Sequence, residues 1–126
     1  MVADPQFTDR ELDVMAVLWE LGSATVPEAR ARIQDDLAYT TVQTVLRTLV
    51  AKGFVKTEEE GRFHRYFPLV ARDEASQSAL KRVLAKLCDG SPELLLSQLV
   101  SQSGVSLDQI RRMRNLLDLH LPEENR

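Results

Sequence analysis

The stretch LAYTTVQTVLRTLVAKGFV, residues 37–55, carries hydroxyl, amide and guanidinium groups at helical spacing. Stepping residues by about 100° places Thr40, Gln43, Thr44 and Arg47 on one stripe, with Thr41 and Thr48 at its margin. Threonine is a mediocre helix former because its branched Cβ restricts χ1. Leu, Glu or Lys would hold an exposed helix face better, so a face of short hydroxyls asks for another reason. Close approach to a nucleic acid is one. A hydroxyl meets a phosphate oxygen and the threonine methyl a thymine methyl, while glutamine pairs bidentately with adenine and arginine with guanine. On that chemistry Gln43, Thr44 and Arg47 are candidates to read bases. Thr40, Thr41 and Lys52 are candidates to hold the backbone, and Thr48 borders the same surface. A plain solvated helix face would look similar, and the stripe alone does not choose between the two.

The distribution of charge favours nucleic acid. The chain has 126 residues, 28% of them charged, and a net charge of −3. Yet from Leu37 to Thr57 there is no acidic residue, while Arg47, Lys52 and Lys56 lie inside that window. A local surface, not the sum, is what a polyanion meets.

The elements that must position this stripe are legible in their start and stop signals. Thr8 with Glu11, and Thr25 with Glu28, form two capping boxes, and Gly22 separates the helices they start. Leu12, Met15, Ala16 and Trp19 predict the buried face of the first, widened by Val14, Val17, Leu18 and Leu21; Val26, Ala29 and Ile33 predict that of the second, which runs to about Gln34. A third helix over about 40–52 buries Val42, Val45, Leu46 and Leu49 opposite the polar stripe, and Gly53 ends it. FVKTE and RFHRYFP, joined at EEG, read as a β-hairpin over about 54–68, closed by Pro68. Three helices followed by a hairpin is the order of a winged helix-turn-helix. Arg62 and Arg65 on the hairpin are further candidates for phosphate contact, whereas Glu58, Glu59 and Glu60 should keep its tip off the backbone.

The second half of the chain has a different core chemistry. Phe7, Trp19, Tyr39, Phe54, Phe63, Tyr66 and Phe67 all precede Pro68; beyond it there is no aromatic residue and leucine takes over. The expected division is therefore a winged-helix domain over 1–70 and a three-helix domain over 71–126. The fold class is mainly α with a small β-hairpin wing. In the second part, helices over about 73–88, from Ser91 to Gly104, and from the capping box Ser106–Gln109 onward present apolar rows. Three short helices bury little as a lone unit, and the apolar arc of ELLLSQLV (94–100 within it) is too wide for one neighbour to cover. A second copy of the chain would cover it. Leu80, Leu84, Leu87, Leu95, Leu96, Leu99, Ile110, Met113 and Leu117 are the candidate dimer contacts.

Other chemistry finds little support. The single cysteine, Cys88, allows no intrachain disulfide and has no Cys or His at ligand spacing; it reads as a small buried apolar residue, with redox sensing as the alternative. His64 and His120 are far apart, so no metal site is expected, and no phosphate-binding loop, dinucleotide fingerprint or nucleophile motif implies a cofactor or an enzyme. No apolar run is long enough to cross a bilayer, and the acidic start MVADPQFTDRELD is unlike a signal peptide. A cytoplasmic protein is expected.

ELDVMAVLWELG, TTVQTVLRTLVAKGFV and GRFHRYFPLV, in this order and spacing, resemble the first helix, recognition helix and wing of the penicillinase repressor family, the BlaI/MecI-like transcriptional repressors. The resemblance covers nearly the whole chain. It implies a winged-helix domain, a helical dimerisation domain, and repression at dyad-symmetric operators, commonly of β-lactamase, resistance or sensor-protease genes. Two positions depart from the family. Thr48 stands where an arginine is usual, with Arg47 one place earlier. Typical members are inactivated by a sensor-transducer protease at an Asn-Phe bond, and the aligned pair here is Gln98–Leu99. The rival to a DNA-binding repressor is a winged-helix module that offers the same face to a protein partner.

Overall fold

Thr8 starts the first helix by the reciprocal bonds its sequence asks for. In a computed structural model that describes residues 5–102 and 104–123, its hydroxyl accepts from the Glu11 amide at 3.1 Å, and the Glu11 carboxylate accepts from the Thr8 amide at 2.9 Å. Helix α1 (Asp9–Leu21) ends at Gly22, whose φ of 85° lets its amide turn back to Leu18 O. Thr25 and Glu28 repeat the capping box for α2 (Val26–Arg32), and α3 spans Tyr39–Ala51. Strands β2 (Val55–Glu60) and β3 (Phe63–Pro68) pair antiparallel from Val55↔Pro68 to Glu60↔Phe63. Gly61, with φ of 60°, makes the tight turn with Arg62.

The sheet has a third strand that the sequence did not announce. Ala24–Thr25, β1, pairs with the outer side of β3 through Ala24↔Tyr66 and Thr25↔Arg65, giving the order β1-β3-β2. Two residues are too few to show alternation, and their partner lies far along the chain. The pairing ties the loop before α2 to the wing.

Val14, Met15, Leu18, Val42, Leu46 and Leu49 are fully buried, joined by Ala24, Ala29, Phe54, Val55 and Tyr66. At about 1.5–3 kcal/mol for each large aliphatic side chain removed from water, this cluster dominates the folding of the winged helix. On α3 the expected face is the buried one, with Val45 only partly covered. On α1 the face is turned by about one residue: Glu11, Val14, Met15 and Leu18 point inward, while Leu12, Ala16 and Leu21 are exposed. The inward line includes a carboxylate, so apolar character alone pointed to the neighbouring line. Ile33 is the half-buried C-cap of α2 and not a residue within it.

The chain divides into two compact units, one ending at Lys81 and the other starting at Arg82, so the division falls inside α4 (Arg72–Leu87). Aromatic composition changes earlier, near residue 68, because the first turns of α4 contribute small residues to the first unit. Ala75 is buried there, and Ser78 Oγ donates to Pro5 O at 3.1 Å. The second unit holds the rest of α4, α5 (Pro92–Ser101) and α6 (Leu107–Leu119). Ser91 caps α5 by accepting from the Leu94 amide, and Ser106 with Gln109 makes the expected box on α6. Cys88 is buried. Among the described residues no helix is long and apolar enough to cross a membrane.

Candidate nucleic-acid interface

Helix α3 presents its polar stripe because its apolar stripe is fixed. With Val42, Leu46 and Leu49 sealed in the core, Thr40, Thr41, Thr44, Arg47 and Thr48 are exposed and Gln43 is half-buried. The structure therefore brings the expected base-reading and backbone-holding residues of the helix onto one outer surface. Its first turn contains no acid and has no side-chain cap: Ala38 stands where α1, α2, α5 and α6 carry threonine or serine. The Thr48 hydroxyl donates to Thr44 O at 2.9 Å, which leaves its oxygen only as an acceptor. Beside the stripe, Arg47, Val50, Thr57, His64 and Tyr66 line a cleft of about 170 Å³ between α3 and the wing.

Two expected phosphate contacts are engaged elsewhere. Lys52, at the C-cap of α3, donates to both oxygens of Glu11 at 2.8 and 3.0 Å. Glu11 is 5% exposed; burial by itself would raise its pKa, but the Lys52 ammonium and the Thr8 amide outweigh burial and hold it below the ordinary carboxylate value. Arg65 spends every guanidinium nitrogen within the protein. Its Nε and Nη2 bond the Glu60 carboxylate at 2.9 and 2.8 Å, Nη1 and Nη2 bond Glu28 at 2.9 and 3.1 Å, and Nη1 also reaches Ser23 Oγ. Donating to Glu60 and then to Glu28 pushes the Arg65 pKa up, and the same bonds push both carboxylates down. This arginine is a staple between α2 and the wing. Arg62, at the hairpin turn, is exposed and remains a surface cation like Arg47.

The wing's acidity is partly answered in place. Glu60 is held by Arg65 and Glu58 by Lys56 at 3.2 Å, while Glu59 sits opposite His64 in the sheet register. Lys56 also lies over the Phe67 ring, 5.1 Å from its centroid. Sequence reasoning missed Glu11, Glu28 and Glu60 as partners of these cations. For Glu11 a signal existed: it lies on the helical line of Val14, Met15 and Leu18, and a carboxylate on a buried line needs a cation.

In the second unit the apolar rows face outward. Leu80, just before that unit, and Leu87, Leu99, Ile110 and Leu117 are exposed, Leu87 by 74%; Leu84, Leu95, Leu96 and Met113 are half-buried. No residue of α5 or α6 is buried. Leu99, Val105, Met113 and Leu116 line an apolar recess of about 380 Å³. Gln98 and Leu99 lie on exposed turns inside α5.

With this geometry in view, residues 7–119 match the family described as penicillinase repressor. The chain belongs to the penicillinase repressor family. Among curated members it is 37% identical over 112 residues to the transcriptional regulator BlaI of Mycobacterium tuberculosis, covering 82% of this chain and 79% of that one. Among solved structures it is similar to the DNA-binding domain of the repressor BlaI, with 32% identity and a TM-score of 0.52 over 59% of this chain and 93% of that one. The monomeric form of Bacillus licheniformis BlaI, solved in complex with the blaP half-operator, is also 32% identical, with a TM-score of 0.50 and the same coverage. The family fold is the one described above, a winged helix with a small three-stranded sheet.

Proposed function

We propose that this chain is a homodimeric transcriptional repressor that binds a dyad-symmetric operator through α3 and the wing. The observation that carries the reading is the outward stripe of Thr40, Gln43, Thr44 and Arg47 on a helix whose opposite side seals Val42, Leu46 and Leu49 in the core. A relative solved on its half-operator supports DNA as the partner. Gln43, Thr44 and Arg47 read base edges; Thr40, Thr41 and Arg62 meet the backbone. The unburied leucines of α5 and α6 support a second copy as the cover of the helical half. A two-fold pair would set two recognition helices about 34 Å apart, one on each half of a palindrome. The regulated genes are of the β-lactamase, resistance or sensor-protease kind that the family controls.

Induction by cleavage at Gln98–Leu99 is not part of this reading. The pair is not Asn-Phe, and it lies within α5, where a protease needs local unfolding to reach an extended backbone. Incubation with an activated family sensor-protease, followed by intact-mass analysis, should show the chain cut slowly or not at all; a single clean cut there would reverse the assignment.

Titration of the full chain on duplexes recovered from genomic DNA, across a salt series, tests the main reading. Phosphate neutralisation makes log affinity fall linearly with log salt. A steep fall with strong preference for the recovered duplex is expected. A flat response without preference would point to a protein partner for the same face.

A further inference from the structure

Among the described residues Glu11 is the one buried carboxylate, and the DNA-reading surface does not include it. It nevertheless joins two places that matter to that surface. Its carboxylate accepts from the Thr8 amide in the first turn of α1 and from the Lys52 ammonium at the end of α3, across 41 residues of chain. The side chains that pack α3 on the core, Val42, Leu46 and Leu49 with Tyr39, Val45 and Val50 partly covered beside them, make apolar and therefore non-directional contacts. Such a face resists separation from the core far better than it resists a small roll or slide. A charge-assisted bond from the Lys52 ammonium to both oxygens of Glu11 adds a restraint on roll and slide that the apolar face lacks.

We infer that Glu11 and Lys52 are a positioning pair that sets the roll and register of α3, and through it the aim of Gln43, Thr44 and Arg47 at base edges. Lys52 then acts on sequence discrimination without touching a phosphate. This rests on the DNA-binding reading above and assigns a role inside it. Glu11 is buried while the Lys52 side chain is 40% exposed, so the pair costs the desolvation of one partner only, and fixing one arrangement among near-equals is the use that suits it.

The two roles for Lys52 differ in what they do to salt dependence. A lost phosphate contact weakens all sequences alike and lowers the salt slope by about 1. A lost positioning bond lowers the preference for one sequence and leaves the slope unchanged. The test uses the full chain as parent, Glu11→Gln, Lys52→Met, the double variant and Lys52→Arg. The probes are the duplex most strongly retained by the parent from random-sequence DNA and an unselected duplex, titrated across salt at a temperature where circular dichroism shows every form folded. Each single variant should lose about tenfold in the ratio of the two affinities, the double variant should lose no more than either single, as for coupled neighbours, and Lys52→Arg should retain the ratio. All slopes should equal the parent's. If Lys52→Met does not fold, Glu11→Gln alone decides, since its amide is nearly isosteric and still accepts from Thr8. A reduced slope in Lys52→Met beside a parent-like Glu11→Gln would make Lys52 a phosphate contact and overturn the inference. A parent that binds both duplexes alike would remove the DNA-binding reading itself, and the inference with it.

Discussion

The winged-helix unit and the helical unit are built from sequence with similar apolar proportions and put it to opposite use. In the first, Val14, Met15, Leu18, Val42, Leu46 and Leu49 lose all contact with water, and the one carboxylate taken inside has two donors waiting. In the second, Leu119 is 81% exposed and no side chain of α5 or α6 is buried. Capping is as good in both, so local helix formation is not what separates them. The first unit satisfies itself; the second has helices looking for a surface. That difference fits a division of labour in which one unit reads DNA and the other brings two readers together.

Removing the second unit is the most severe way to break the comparison. A chain ending at Lys81 should stay folded, run as a monomer in sedimentation, and lose about 10²–10⁴-fold in operator affinity, the range lost when two linked sites become one. Undiminished affinity, or a full chain that is monomeric at micromolar concentration, would remove the dimer. Single leucines sharpen the contrast. Leu46→Ala, in the sealed core, should cost about 2–5 kcal/mol in denaturant unfolding. Leu117→Ala should change the stability of the first unit by less than about 0.5 kcal/mol and appear instead as a raised dimer dissociation constant. Equal effects at the two positions would mean that the helical unit has a core of its own.

A smaller effect is expected at the reading surface. Arg47→Ala should cost about 1–3 kcal/mol of operator binding and relax the preference at one base pair, with unfolding unchanged because the side chain lies outside the core. Parent-like binding of both operator and random DNA would take base reading away from Arg47.

The smallest effect is in acid. Glu11, Glu28 and Glu60 all have folded pKa values below the ordinary 4.5. Depressed carboxylates contribute stability that is fully present above that ordinary value and is lost as pH falls through the folded one. Melting of the first unit should therefore be flat in pH near neutrality and decline below about 4.5. Glu11→Gln should soften that decline. A profile in the variant that is as steep as the parent's would show that Glu11 does not share in it.

What was legible in the sequence was what neighbours in the chain decide. Thr8 with Glu11, Thr25 with Glu28 and Ser106 with Gln109 gave helix starts within a residue, and Gly61 gave the hairpin turn. The outward stripe of α3 followed from periodicity, because apolar burial and exposure simply alternate around that helix. Arg65 and Lys52 were read as free cations because Glu60, five residues before Arg65, was counted with the acidic tip of the hairpin and the other partners are distant in the chain. Glu28 lies 37 residues from Arg65, and Glu11 lies 41 from Lys52. An acid at such a distance leaves no periodic mark. Strand β1 was hidden for the same reason, since two residues acquire their conformation from β3 and not from each other.

Trp19 has a consequence of a different kind. Its indole nitrogen donates to Val70 O at 2.8 Å, Phe7 meets the ring edge-on at 6.4 Å, and the Arg72 guanidinium lies 5.5 Å above it. It is also the only tryptophan in the chain. The protein thus carries a single indole fluorophore, which can be excited apart from its two tyrosines, lodged where the segment that leads into α4 leaves the winged helix. Its emission should shift to the red when that segment peels away and water reaches the ring. Events confined to α5 and α6 should be silent. An optical change on dissociating the proposed dimer would mean that the disturbance had travelled up α4 to the unit that holds the recognition helix, and would time its arrival without any label.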